Sequence, residues 1–347
     1  MPKDVELLQK RVQGVTTEAI ANDLNLSPDS VRGRVSRAGK DPQNWLAIAK
    51  DAAQNPPVKT LSSRRIQSVI DRAQMVFQPP EKGSGIFAGD VHLPYTRWDA
   101  IALVVQIAEY LKPTYISAYN DLFDFKGMGR WADNRTIAKQ LWSGDLANAL
   151  TVGEAYFGAL SAASPQTQFP AVWGNHDLWL ANYLFEKATH VGENLLADWF
   201  ETVEGWGVLH LSHPTVQNTV RLSTNLVWTH GWFVGANNAT VSQNTIKQAQ
   251  VETGTRTASD VVTGHLHRSW SHKVGKATHY SSPCLSDLTP SYMKKNPNWQ
   301  LGCTVSHWDG DDTHSTIIEF TPMKGKLVAR YDGVSFETAL DTSQPIG

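Results

Sequence analysis

Cysteine is scarce. Of 347 residues only Cys284 and Cys303 carry a thiol, and neither has a partner at the two- to four-residue spacing of a zinc finger. That excludes a disulfide scaffold and a Cys-type zinc site. Long apolar runs are missing as well: none approaches the roughly 18 residues that span a bilayer, so no membrane partner is expected. The opening Met-Pro-Lys-Asp-Val-Glu lacks the apolar stretch of a secretory signal, which makes the cytoplasm the expected location. Neither charge sign dominates, with 31 Lys and Arg against 33 Asp and Glu. The 41% hydrophobic and 18% charged content is that of a globular chain long enough for two domains. With so little cysteine, any chemistry has to rest on His, Asp and Asn.

The near-neutral total hides an asymmetry. Residues 1–80 carry 12 Lys/Arg and 8 Asp/Glu, whereas residues 81–347 carry 19 and 25. A basic front joined to an acidic remainder suggests units with different tasks. Asn55-Pro56-Pro57 and Gln78-Pro79-Pro80-Glu81-Lys82-Gly83 punctuate the chain where a boundary would fall.

In the basic front, Thr17 can cap a short helix that puts Ile20, Ala21 and Leu24 on one face. Asn25 suits a tight turn, and Ser27-Pro28 is a cap followed by proline at the first helical position. The second helix turns Val31 and Val35 inward and leaves Arg32, Arg34 and Arg37 on its other faces. This pattern resembles a helix-turn-helix, although Asn25 stands where a glycine is usual and Arg34 where an apolar residue is common. The resemblance implies DNA contact through Ser30, Arg32, Arg34 and Arg37; the alternative is an ordinary helical hairpin. Residues 41–82 read as a helical linker with pieces near Asn44–Gln54 and Ser62–Met75. The second piece carries a stripe of Ile66, Val69, Ile70 and Ala73, with Arg64, Arg65 and Arg72 off it.

Beyond residue 83, five short apolar runs each end in metal-ligand residue types. Gly85-Ile-Phe-Ala-Gly leads to Asp90-Val-His92, and Thr114–Tyr119 to Asn120-Asp121-Leu-Phe-Asp124. Phe169–Trp173 leads to Gly174-Asn175-His176-Asp177, Asn225–Thr229 to His230-Gly231, and Asp260–Thr263 to Gly264-His265-Leu-His267. Strands whose carboxyl ends carry polar residues place them on one rim of a sheet, where α/β folds build sites. Helical patterns at Trp98–Leu111, Ile137–Ala162 and Leu178–Phe200 fill the gaps, which indicates an α/β domain. Further strands are expected at Thr278–Ser281, Cys303–Trp308 and Ser315–Phe320, with His272 and His307 structural and the last 20 residues a strand and a loose tail.

Taken alone, each cluster is readable as a turn or a surface pair. Together and in this order they resemble the calcineurin-like metallophosphoesterase family, over residues 85–270. The resemblance implies an α/β/β/α fold, a β-sandwich flanked by helices, preceded by the small all-α unit. The implied division is 1–40, 41–82 and 83–347, with an acidic cap over 178–224. It further implies two-metal-ion hydrolysis of phosphoesters by a hydroxide that bridges the ions. One ion would take Asp90, His92, Asp121 and His267; the other would share Asp121 and take Asn175, His230 and His265. His176 would serve the leaving oxygen, oriented by Asp124, and Asp177 reads as a helix cap. The ligand types suit Mn²⁺ first, with Fe, Zn²⁺ or Mg²⁺ as alternatives.

Two departures from the family pattern stand out. Asn120 replaces the family Gly, and Phe125-Lys126 replaces the Arg-Gly of Ser/Thr protein phosphatases. The sequence therefore looks closer to the Mre11/SbcD-type nucleases and to phosphodiesterases. A helix-turn-helix ahead of such an esterase is similar to bacterial or phage proteins. DNA is the expected substrate and partner, and nucleotides or small phosphoesters are the alternative. Among the 13 tryptophans, Trp131 and Trp232 sit just past motif strands as candidates to stack on bases. Lys126, Arg130, Arg135 and Arg268 are candidates to hold phosphates.

Overall fold

The computed structural model describes residues 7–8, 10–11, 17–23, 26–44, 66–125, 145–187, 189–212, 218–235, 237–254, 259–289 and 298–342. The readings made above for Leu24, Asn25, Lys126, Arg130, Trp131, Arg135, most of Asn44–Gln54, 62–65 and 137–144 lie outside the described residues.

Strand β1 (Lys82–Phe87) is the organising element. On one side it pairs in parallel with β2 (Tyr115–Ile116). On the other it pairs antiparallel with β11 (Gly302–Asp309), in register from Lys82 opposite Asp309 to Phe87 opposite Thr304. Strand β12 (Asp312–Glu319) folds back on β11. Parallel strands β3 (Ala118–Tyr119), β4 (Phe169–Val172) and β5 (Val208–Leu209) continue this layer through a bridge between Tyr115 and Gln168. A second sheet has the order β6-β7-β8-β10-β9, from β6 (Thr219–Ser223), β7 (Leu226–Thr229), β8 (Asp260–Thr263), β9 (Trp270–Val274) and β10 (Ala277–Ser281).

The two sheets face each other across one apolar cluster. Phe87, Tyr115, Val172 and Trp308 come from the first sheet, and Val220, Leu222, Leu226, Trp228 and Val262 from the second. Phe87 and Trp228 meet edge to face at 5.6 Å, a favourable arrangement for aromatic quadrupoles. Gly85 makes room for this contact, because a Cβ there would lie 2.6 Å from the Trp228 ring.

Outside the first sheet pack α4 (Trp98–Leu111), α5 (Asp145–Ala163), α6 (Asn175–Lys187) and α7 (Thr189–Glu204), whose apolar faces form the main core with Ile86, Ala88 and Ala171. Outside the second lies α8 (Asn238–Thr253), with Ile246 and Ala249 against Val227, Val261 and Ala277. The molecule is thus layered α/β/β/α, as expected. No helix among the described residues is long and apolar enough to cross a membrane.

Three details differ from expectation. Leu178–Phe200 forms parts of two helices, α6 and α7, rather than one. Leu180, Ala181, Leu184, Leu196, Trp199 and Phe200 of the expected cap are buried in the main core, so this stretch is a structural layer. At the C-terminal end, β13 (Thr321–Met323), β14 (Lys326–Tyr331) and β15 (Val334–Ala339) form an antiparallel meander. Leu327, Ala329 and Phe336 bury one face of it in the main core. The alternation of a half-buried strand appears only around Phe336 in β15, whereas β14 buries Leu327, Val328 and Ala329 in succession and β13 is exposed throughout.

At the front, α1 (Thr17–Asp23) and α2 (Pro28–Ala38) pack through Ile20, Ala21, Val31 and Leu7, with Leu26 and Val35 alongside. The Ser27 side chain accepts the Ser30 N–H at 3.2 Å, capping α2. Helix α3 (Ile66–Val76) buries Val69, Ile70 and Ala73, and Arg72 donates to both carboxylate oxygens of Glu204, at 2.8 and 2.6 Å.

Candidate metal centre

The rim above the strands begins with two loops that pair with each other. Asp90 N–H donates to Asn120 O at 2.6 Å, His92 N–H to Asp121 O at 2.9 Å, and Leu93 N–H to Leu122 O at 2.7 Å. This zipper holds an unusual backbone. Asp90 and His92 have φ of 51° and 53°, and Tyr119, Asn120 and Asp121 follow one another at 59°, 58° and 57°. Each such residue costs about 1–2 kcal/mol relative to its right-handed form, a strain typical of sites whose surroundings over-determine them. His265 and His267, at 69° and 55°, repeat the feature after β8.

The turns direct side chains to two adjoining points. At the first, Asp90 Oδ1 lies 3.0 Å from His267 Nε2 and 4.0 Å from His92 Nε2, and the two imidazole nitrogens are 3.4 Å apart. At the second, His230 Nε2 lies 3.1 Å from Asp121 Oδ2, 3.1 Å from Asn175 Oδ1 and 3.2 Å from His265 Nδ1. Asp121 also has ligand atoms within reach of His92 and His176, which places it between the two points. All seven residues proposed from the sequence as metal ligands are therefore brought together. Asp90 and Asp121 are buried to 0% and 2% exposure.

Carboxylate, amide and imidazole donors at these spacings fit divalent ions. Burial by itself would raise the pKa of both carboxylates. For Asp90 the facing His267, and for Asp121 His230 and His176, outweigh it and hold both below the usual range. Burial lowers His92 and His265 to about 4 each. At His267 and His230, burial is outweighed by Asp90 and Asp121 respectively, which raise them.

His176 stands at the start of α6, beside this centre. Its Nδ1 lies 3.0 Å from Asp124 Oδ1. The ring is also wedged between His92, edge-on at 4.6 Å, and Trp179 at 3.9 Å. Burial opposes the charged ring, but Asp121 and Asp124 outweigh it and raise its pKa. Asp177 lies inside the first turn of α6, which begins at Asn175, and is not the residue ahead of a helix starting at Leu178. It accepts the Gly174 N–H at 3.1 Å, closing the first turn of α6, and also the N–H groups of Asp121 at 2.8 Å and Phe123 at 3.2 Å. It thus clamps the Asp121 turn. Burial and the neighbouring Asp121 push its carboxyl up to about 8.

Trp179, which flanks the Asn175-His176-Asp177 motif in the sequence, is a site neighbour, and so is Trp299, 4.1 Å from His267, which sequence reading missed. Trp299 stands 32 residues beyond its partner, with no motif to flag it. Trp232 is half-buried, while Trp173, Trp199, Trp228 and Trp308 are interior fillers. Arg268 lies 5.4 Å from the Trp270 ring and donates to Gly235 O at 3.2 Å. Ser30, Arg32, Arg34 and Arg37 are not among the residues gathered at the centre. They belong to α2, where Ser30, Arg32 and Arg37 are exposed and Arg32 pairs with Asp29 at 2.6 Å.

No protein-family model matches this chain, and no curated protein matches it. Solved structures do. Vps29 from Entamoeba histolytica, complexed with Zn²⁺, is 11% identical, with 74% of this chain and 98% of that one covered at a TM-score of 0.34. A predicted phosphoesterase from Streptococcus pneumoniae TIGR4 is 11% identical over 74% and 98%, with a TM-score of 0.27. An archaeal phosphodiesterase is 11% identical over 67% and 99%, with a TM-score of 0.32. Likenesses this remote transfer no function, and the chemistry of the centre has to be argued from its own atoms.

Proposed function

We propose that this chain is a metal-dependent phosphoester hydrolase acting on DNA. The observation that carries the reading is the convergence of buried and half-buried metal-ligand residue types from five strand ends on two adjoining points, with Asp121 in reach of His92 at one and of His230 and His265 at the other. Asp90, His92, Asp121 and His267 would hold one ion, and Asp121, Asn175, His230 and His265 the other, with Mn²⁺ the ion favoured. When bound, such a pair polarises a phosphoryl group and lowers the pKa of water.

The chain's own residues do the rest. His176 gives its Nδ1–H to Asp124, which leaves Nε2 to hold a proton for the leaving oxygen and release it as that bond breaks. The hydrogen bond and charge of Asp124 favour the protonated ring. Trp179 and His92 keep the ring in one orientation.

DNA is supported by the excess of Lys and Arg over Asp and Glu in residues 1–80 and by the arginine-bearing face of α2. The acidic excess of residues 81–347 favours a second reading, a nucleotide or other small phosphoester, with the front helices used for assembly. The deciding experiment compares Mn²⁺-dependent cleavage of labelled single- and double-stranded DNA with that of bis(p-nitrophenyl) phosphate and p-nitrophenyl phosphate. Wild type, His176→Ala and an Arg32→Ala/Arg34→Ala/Arg37→Ala variant are run together. The expected result is DNA cleavage lost with His176→Ala and a salt dependence of DNA binding flattened in the arginine variant, by a slope of about 0.7–0.9 per phosphate contact removed. Rapid small-ester turnover beside intact DNA selects the second reading. Failure to hydrolyse any ester in the presence of metal ends both.

A further inference from the structure

Asn120 is the residue that the motif pattern leaves unexplained, and the structure gives it a task. Its side chain is fully buried, and its Oδ1 lies 2.7 Å from His230 Nδ1. The opposite nitrogen of that ring, Nε2, is the atom that meets Asp121, Asn175 and His265. We infer that Asn120 is a positioning residue that accepts the Nδ1–H of His230 and thereby commits Nε2 to the metal side. An imidazole with one nitrogen pinned as donor presents its other nitrogen as the ligand, in one tautomer and one ring orientation. The assignment rests on the metal-centre reading above and adds the partner that sets one of its ligands.

Two further features show that the surroundings are built for this side chain. A Cβ on Gly89 would fall 1.7 Å from Asn120 Nδ2, and one on Gly264 would fall 3.1 Å from Asn120 Oδ1. The amide therefore occupies a slot kept open by two glycines from the β1 and β8 ends. Residue 120 also sits at a φ of 58°, where Asn is among the few side chains tolerated. Glycine would meet that backbone requirement equally well, so the backbone does not account for the amide. What glycine would not supply is the acceptor at His230 Nδ1. The cost of the arrangement is visible too, since Asn120 Nδ2 has no hydrogen-bond partner among the described residues.

The test uses the full chain stripped of metal, as wild type, Asn120→Gly and Asn120→Asp. Asn120→Gly removes the acceptor without adding backbone strain, and Asn120→Asp restores an acceptor oxygen. Zn²⁺ is titrated calorimetrically, and long-range ¹H–¹⁵N spectra of the Zn²⁺-loaded protein assign the His230 tautomer. The expected outcome is two ions per wild-type chain and a proton on His230 Nδ1. In Asn120→Gly one of the two sites is weakened by roughly 10–100-fold, and Asn120→Asp holds affinity close to wild type. Wild-type affinity at both sites in Asn120→Gly overturns the assignment and leaves the metal centre standing, as does a proton on His230 Nε2. A wild-type chain that binds no Zn²⁺ sinks both.

Discussion

At the scale of single residues, the proposed function separates groups that would hold the ions from one that would move a proton. His176 touches Asp124, His92 and Trp179, and its removal leaves the proposed ligands in place. His176→Ala is therefore expected to lower kcat by about 10²–10⁴-fold with metal content unchanged, measured by steady-state kinetics beside elemental analysis. Asp124→Asn keeps the ring in place but weakens the charge that raises its pKa, and a loss of roughly 10-fold is expected. A variant that loses metal along with activity contradicts this division of labour. Residue types after strands were the most legible part of the sequence, because ligand chemistry restricts them to His, Asp and Asn at short spacing. Asn120, Trp179 and Trp299 were opaque in their roles. Asn120 and Trp299 act through partners brought near only by the tertiary fold, which neither local propensity nor spacing encodes, whereas Trp179 lies one helical turn from His176.

Elements show the same contrast between local and distant causes. Trp98–Leu111 and Asp260–Thr263 match their sequence-derived limits. The break between α6 and α7 was invisible: both helices bury apolar stripes in one core, and the residue that would signal a stop, Gly192, lies inside α7. Junctions between elements also carry the rigidity of the centre. Asp177 joins α6 to the β3 turn by accepting three backbone N–H groups. Asp177→Ala strands those donors in a buried place, and a loss of about 3 kcal/mol in urea-unfolding stability is expected. A change below about 0.5 kcal/mol contradicts the clamp. Gly85→Ala drives a methyl group toward Trp228 and is expected to cost about 1–3 kcal/mol by overpacking.

Over the whole molecule, buried histidines far from any proposed ligand role set the acid limit. His210 is stacked on Phe200 at 4.1 Å, and burial holds its pKa down to about 3. His279 sits between Ser242 and Thr263, and burial holds it down to about 4. Both are neutral in the fold, whereas the unfolded chain protonates them near 6.5. Below that value the unfolded state binds more protons, so stability present above it is lost as pH falls toward 4 and then 3, at up to about 1.4 kcal/mol per pH unit for each group. His210→Phe, which keeps the ring stack, is expected to flatten the slope of unfolding free energy between pH 6 and 4. An unchanged slope assigns the acid sensitivity elsewhere.

The central place of β1 has a consequence for synthesis. Its partner β11 ends at Asp309, and the pairing closes the sheet that carries Asp90 and His92. At about 5–20 residues per second, β11 leaves the ribosome some tens of seconds after β1. During that interval one edge of β1 is open and the faces that will meet Trp308 are bare. An open strand edge and bare apolar faces favour association between chains, so the interval before β11 pairs is the one in which this chain is most exposed to it.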